Sequence, residues 1–126
     1  MSKAQVIHKL GPQSAMNWQD WHVPDPAPGE VRLRHTAVGV NFADTYHSGG
    51  ILHPWIVPPC AVVIGFEGVG TVEGVGASVN NFKTGDRVAY GIPPLGSYSE
   101  VRNYPADKLL HMPENLDDKT VAALLM

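Results

Sequence analysis

Gly65-Phe66-Glu67-Gly68-Val69-Gly70-Thr71-Val72-Glu73-Gly74-Val75-Gly76 decides how the rest of the chain is read. Glycine recurs through it, yet apolar side chains stand between the glycines. Asn80-Asn81 and Thr84-Gly85-Asp86 follow as turn signals. Glycine lets two backbones approach closely and lets a strand bend sharply, as a small, tightly curved barrel requires. A phosphate-binding reading fails. A dinucleotide fingerprint needs G-x-G-x-x-G opening a helix. Here Gly68-x-Gly70 is followed by Glu73, and the residues after it read as strand and turn. The glycines are therefore architectural, with Glu67 as a functional candidate among them.

Upstream, Val31, Leu33 and Ala37 alternate with Arg32, Arg34 and Thr36. This period of two predicts a half-buried strand. Residues 4–8 and 18–23 read as earlier strands, separated from it by the rigid turn Pro24-Asp25-Pro26-Ala27-Pro28-Gly29. At Val40 the pattern breaks. Asn41 is a good helix N-cap, residues 42–48 suit about two turns of helix, and Gly49-Gly50 ends them. A proline-punctuated apolar loop follows over 51–60, and 62–64 is expected to begin the glycine-rich strand. Downstream, strands are expected at 88–90, 98–104 and 109–112. In the tail, Pro113, Asn115 and Asp117 open an amphipathic helix with Val121, Leu124 and Leu125 on its apolar side. So short a helix is marginal alone in water. It is expected either to lead into a second domain or to pack back on the barrel. Many short strands, cornered by glycine and proline, predict a mostly β, partly open barrel with short helices.

With 126 residues the chain is long enough for one domain with a modest core. Its 44% apolar content argues against disorder. A net charge of −3 without any basic cluster gives no reason to expect a nucleic-acid partner. The single cysteine, Cys60, excludes an internal disulfide framework and fits a reducing compartment. No apolar run resembles a signal peptide. The uncharged stretch 48–66 is broken by Pro54, Pro58 and Pro59, so no membrane span is expected and the cytoplasm is the expected location.

At Val38-Gly39-Val40-Asn41-Phe42-Ala43-Asp44-Thr45-Tyr46, Gly65-Phe66-Glu67-Gly68 and Gly85-Asp86-Arg87-Val88, the chain resembles the medium-chain dehydrogenase/reductases. It is similar to their N-terminal GroES-like catalytic domain, most of all to that of the zinc-independent NADPH quinone oxidoreductases, the zeta-crystallin-like branch. Gly96-Ser97-Tyr98-Ser99-Glu100 and Pro113-Glu114-Asn115-Leu116 sit where that branch has equivalent segments. The resemblance implies a GroES-like domain over 1–113. Over 114–126 it implies the beginning of a helix leading to a nucleotide-binding Rossmann domain, outside this sequence, that would hold most of the NADPH. It also implies a quinone or enone substrate and a homodimer when full length.

Zinc alcohol dehydrogenases of this superfamily carry a metal-binding cysteine where Asn41 stands and a histidine where Phe66 stands. Thiolate and imidazole suit Zn²⁺; an amide is a poor ligand and a phenyl ring is none. The four-cysteine structural zinc loop would fall in Gly91-Ile92-Pro93-Pro94-Leu95-Gly96, which has no cysteine. The six histidines show no ligand spacing. A metal-free site is expected. Hydride addition to a simple aldehyde puts charge on one oxygen and needs a Lewis acid or a strong donor. A conjugated carbonyl spreads the charge itself and needs mainly positioning and a proton source.

On this resemblance Asn41 would hydrogen-bond near the nicotinamide, unless it only caps the helix. Asp44, one turn on, would orient the cofactor or a water, or be a solvated carboxylate. Tyr46 would donate to the substrate carbonyl, or edge the pocket. Glu67 would sit behind the nicotinamide, or pair with an arginine. Ile51, Leu52, Trp55 and Ile56 would wall the pocket or a dimer contact, and Cys60 has no base beside it. Two other functions stay open: an enoyl-thioester or 2-alkenal reductase on the same scaffold, and a non-enzymatic GroES-like module docking through its apolar loop.

Overall fold

The period of two that begins at Val31 becomes the longest strand, β3 (Glu30–Val38). Val31 and Leu33 are fully buried and Arg34 is exposed. Burying each such aliphatic side chain contributes roughly 1.5–3 kcal/mol. In this computed structural model the described residues are 2–8, 16–44 and 61–125. The other strands are β1 (Ser2–Ile7), β2 (Met16–Trp21), β4 (Val62–Val63), β5 (Gly68–Val75), β6 (Arg87–Tyr90), β7 (Val101–Pro105) and β8 (Leu110–His111). A 3₁₀ turn covers Ala106–Lys108, and the helix α1 covers Asp118–Ala122.

The strands form two sheets, β2-β1-β4 and β7-β3-β5-β6-β8, with every pairing antiparallel. They do not close into one barrel. The segment 98–100 stitches them together. Gln5 N donates to the Tyr98 carbonyl at 2.8 Å, and Glu100 N donates to the Lys3 carbonyl at 2.9 Å. On the other side His35 N of β3 donates to the Glu100 carbonyl at 2.9 Å. The mostly β, open architecture with short helices is as expected.

The glycine-rich stretch is the centre of the larger sheet. β5 pairs with β3 on one edge and β6 on the other. A Cβ at Gly70 would collide with the Arg34 carbonyl oxygen, so the β3–β5 pairing requires glycine there. Register shifts between Arg32/Leu33 and between His35/Ala37 bend this ribbon, as bulges do.

Val31, Leu33, Val72, Val88, Tyr90 and Tyr104 make the main core. Arg102 is buried among them, its guanidinium carbon 5.0 Å and 4.8 Å from the Tyr90 and Tyr104 ring centroids. Its Nη2 donates to the Pro94 and Leu95 carbonyls, both at 3.0 Å. Ring faces and carbonyls together offset the desolvation of this cation.

Some local expectations shift. Val62 and Val63 do not begin the glycine-rich strand; they pair with β1 in the smaller sheet, and the chain crosses between sheets at 64–67. Tyr98 lies before β7, because positive-φ Gly96 and the crossing of 98–100 to β1 interrupt the ladder. The tail helix is capped by Asp117, which accepts from Thr120 N at 2.7 Å, rather than by Asn115. Arg87 Nη2 donates to Asp118 Oδ1 at 2.5 Å and to the Leu116 carbonyl at 3.0 Å. These bonds seat Val121 and Ala122 against Val69, Ala89 and Met112. Leu124, expected on the apolar side, is 62% exposed because regular helix stops at Ala122.

Candidate active site

Gly39 begins the departure from β3, and its missing side chain makes the site possible. A Cβ there would strike the Glu67 carboxylate, which takes that space instead. Gly39 N donates to the Glu67 carbonyl at 3.1 Å, so two segments far apart in sequence lie side by side. Asn41 Nδ2 then donates to Glu67 Oε1 at 2.9 Å. The arginine partner considered for Glu67 is not what it meets; the Asn41 amide is.

Residues 42–44 are helical, and the rest of the expected 42–48 helix lies outside the described residues. The turn closes reciprocally. Asp44 N donates to the Asn41 carbonyl at 3.0 Å, and Asn41 N donates to Asp44 Oδ2 at 3.0 Å. The Asp44 carboxylate thus does the reach-back half of a capping box, satisfying the cap residue's own N–H. Asp44 is 3% exposed rather than a solvated carboxylate. Its Oδ2 also accepts from the Tyr98 hydroxyl at 2.5 Å.

Asn41, Asp44 and Glu67 are therefore one connected group. Asp44 Oδ1 and Glu67 Oε2 are buried without a hydrogen-bond partner among the described residues. Two open acceptors beside a half-buried amide suit a ligand that brings N–H or O–H donors. Tyr46, Ile51, Leu52, Trp55, Ile56 and Cys60 lie outside the described residues. Beside Tyr98 opens a mostly apolar cavity of about 260 Å³, lined by Trp18, Val38, Val40 and Tyr98. Neither this cavity nor one of about 370 Å³ under Trp21 and Arg102 is lined by Asn41, Asp44 or Glu67.

Burial, then the hydrogen bond that the hydroxyl donates to Asp44 and the charge of that carboxylate, push the Tyr98 hydroxyl well above its ordinary pKa. Tyr98 therefore stays a donor. A second pair, half-buried His35 and buried Tyr90, lies under the crossing segment. His35 Nδ1 contacts the Ser99 carbonyl at 2.7 Å and Nε2 contacts the Tyr90 hydroxyl at 2.6 Å. A carbonyl can only accept, so Nδ1 carries the proton and Nε2 accepts from Tyr90. Burial lowers the His35 pKa to about 4, against an ordinary 6.5, and the nearby Arg102 charge adds to the drop.

Residues 27–114 match the family described as the alcohol dehydrogenase GroES-like domain. The chain belongs to that family. This GroES-like domain sits within the medium-chain dehydrogenase/reductases. It is 48% identical over its whole length to the 2-haloacrylate reductase of a Burkholderia species and covers 38% of that protein. It is 40% identical, again over its whole length, to the quinone oxidoreductase of Pseudomonas aeruginosa, of which it also covers 38%. The crystal structure of Escherichia coli quinone oxidoreductase complexed with NADPH superposes with a TM-score of 0.88 at 35% identity. That match takes in 97% of this chain and 36% of the other. The GroES-like chain thus spans well under half the length of the relatives it matches.

The sequence singles out Asn41, Asp44 and Glu67, which the structure brings together, but assigns nothing to Tyr98 or Gly39. The available signal for Tyr98 was its place next to Gly96-Ser97, inside a segment that already resembled the family.

Proposed function

We propose that this GroES-like chain, with 1–113 as the catalytic domain and 114–126 opening the link to a nucleotide-binding domain, belongs to an NADPH-dependent quinone oxidoreductase. The intact protein would work without zinc, in the cytoplasm and as a homodimer. The supporting observation is the Asn41–Glu67 bond. An amide nitrogen engaged as a donor at the expected metal-ligand position is no metal ligand, and Phe66 supplies none. The orphaned oxygens of Asp44 and Glu67 fit a nicotinamide carboxamide, which brings two N–H donors. When bound, NADPH supplies the hydride. Asn41, Asp44 and Glu67 would orient its ring, and Tyr46 would hold the substrate carbonyl and provide the proton.

A second reading has specific support. The relative at 48% identity is named a 2-haloacrylate reductase, so an electron-poor alkene conjugated to a carboxyl group is an alternative acceptor. Enoyl-thioesters and 2-alkenals belong to the same class. Steady-state assays of the intact protein with NADPH decide between these. A quinone is expected to be the best acceptor and an unconjugated aldehyde about 100-fold worse, the factor that one missing charge-stabilising interaction makes. Comparable turnover of the plain aldehyde, or stoichiometric zinc by elemental analysis, overturns the proposal. A 2-haloacrylate turned over better than any quinone selects the second reading.

A further inference from the structure

We infer that Tyr98 is a positioning residue of this site: its hydroxyl locks the Asp44 carboxylate, and through it sets the Asn41 amide that meets the cofactor. The reference to the cofactor rests on the NADPH reading above; the lock itself does not.

Three observations carry the inference. First, the framework holding Tyr98 is rigid from both sides. Its backbone N donates to the Ile64 carbonyl at 3.0 Å, and its carbonyl accepts from Gln5 N at 2.8 Å. Its ring packs on the cluster of Ala4, Val6 and Val63. At Gly65 (φ +104°) a Cβ would press on the Tyr98 ring and on Ser97 Oγ, so that glycine leaves the ring its place. Secondly, one carboxylate oxygen serves both partners. Asp44 Oδ2 accepts from Tyr98 at 2.5 Å and from Asn41 N at 3.0 Å. A carboxylate turned away from Tyr98 would release the Asn41 backbone as well. Thirdly, the hydroxyl faces a carboxylate in a half-buried place, where a charge-assisted bond is roughly twice as strong as a neutral one. The device links the smaller sheet, through Tyr98, to the turn after β3 that carries Asn41.

Tyr98→Phe keeps the ring and removes only the hydroxyl. Tyr104→Phe is the control, because it removes a buried hydroxyl bonded to the Ile92 carbonyl, away from the three polar residues. Two readouts are taken on the intact protein. In ¹⁵N-edited NMR without cofactor, the Asn41 side-chain amide is expected to shift and to exchange faster in Tyr98→Phe and Asp44→Ala, and to stay unchanged in Tyr104→Phe. In NADPH titrations, Tyr98→Phe is expected to weaken binding about tenfold, the size of one hydrogen bond to a charged group. In the Asp44→Ala background the same change should cost less than about twofold, because coupled residues are not additive. An unmoved Asn41 amide in Tyr98→Phe, or full additivity with Asp44→Ala, overturns the inference. If the wild type fails to bind NADPH, the functional reading falls, and the NMR comparison alone still decides the role of Tyr98.

Discussion

Asn41 shows how a residue choice becomes chemistry only through a distant neighbour. Its type, a side-chain amide, is legible in the sequence. Its partner, Glu67, lies 26 positions away, and only the side-by-side run of Gly39 and Glu67 brings them within 2.9 Å. His35 was hidden in the same way. In the sequence it is one polar member of an alternating strand, yet both ring nitrogens are engaged by residues more than fifty positions downstream. The consequence is a pH dependence whose sign follows from the direction of the shift. The native state holds His35 neutral to about pH 4, whereas the unfolded chain takes up the proton near 6.5. The unfolded state therefore binds more protons between those values, and stability falls as pH drops through that window. The loss should be on the order of 2 kcal/mol, below what a wholly buried ring would give. Urea unfolding at pH 7 and pH 4.5, compared with His35→Gln, checks it. The variant should lose that part of the pH dependence, and an identical slope in both proteins would contradict the assignment.

Among the elements, β3 was the easiest to read and the crossing segments were the hardest. Alternation in β3 reports its own burial, because period-two side chains meet the same core along the whole strand. The 62–67 stretch carries no such record. Val62-Val63 is as apolar as the strand that follows, and its transfer to the other sheet is set by pairing with Val6 and Ile7. The glycines of β5 were read as a group, but the structure separates them. Gly70 faces the Arg34 carbonyl with no room for a side chain, whereas a Cβ at Gly74 would meet only Arg32 Cβ at 3.9 Å. Gly70→Val is therefore expected to destabilise the protein by about 2 kcal/mol or more through overpacking at a backbone. Gly74→Ala should lie within about 0.5 kcal/mol of wild type. Denaturant midpoints for the two variants, side by side, test the distinction.

For the whole molecule, the 2-haloacrylate reductase and quinone oxidoreductase relatives are more than twice as long as the matched region, and the carboxylates of the Asn41–Asp44–Glu67 group are buried within this domain. The 126-residue chain by itself is expected not to oxidise NADPH with a quinone, since none of its glycine stretches carries the sequence pattern of a phosphate loop. Measurable turnover by this chain alone would contradict the assignment of 114–126 as a link to the cofactor domain. Mostly β character, the architectural role of the glycines and the family were all determined by the sequence. Each depends on local alternation, on turn residues or on the type of one side chain, and these are written in the order of the residues. The split into two sheets, the Asn41–Glu67 bond, the Tyr98 lock on Asp44 and the neutral His35 were decided by the tertiary structure. Each joins groups far apart along the chain, and their distances and desolvation exist only once those segments lie side by side.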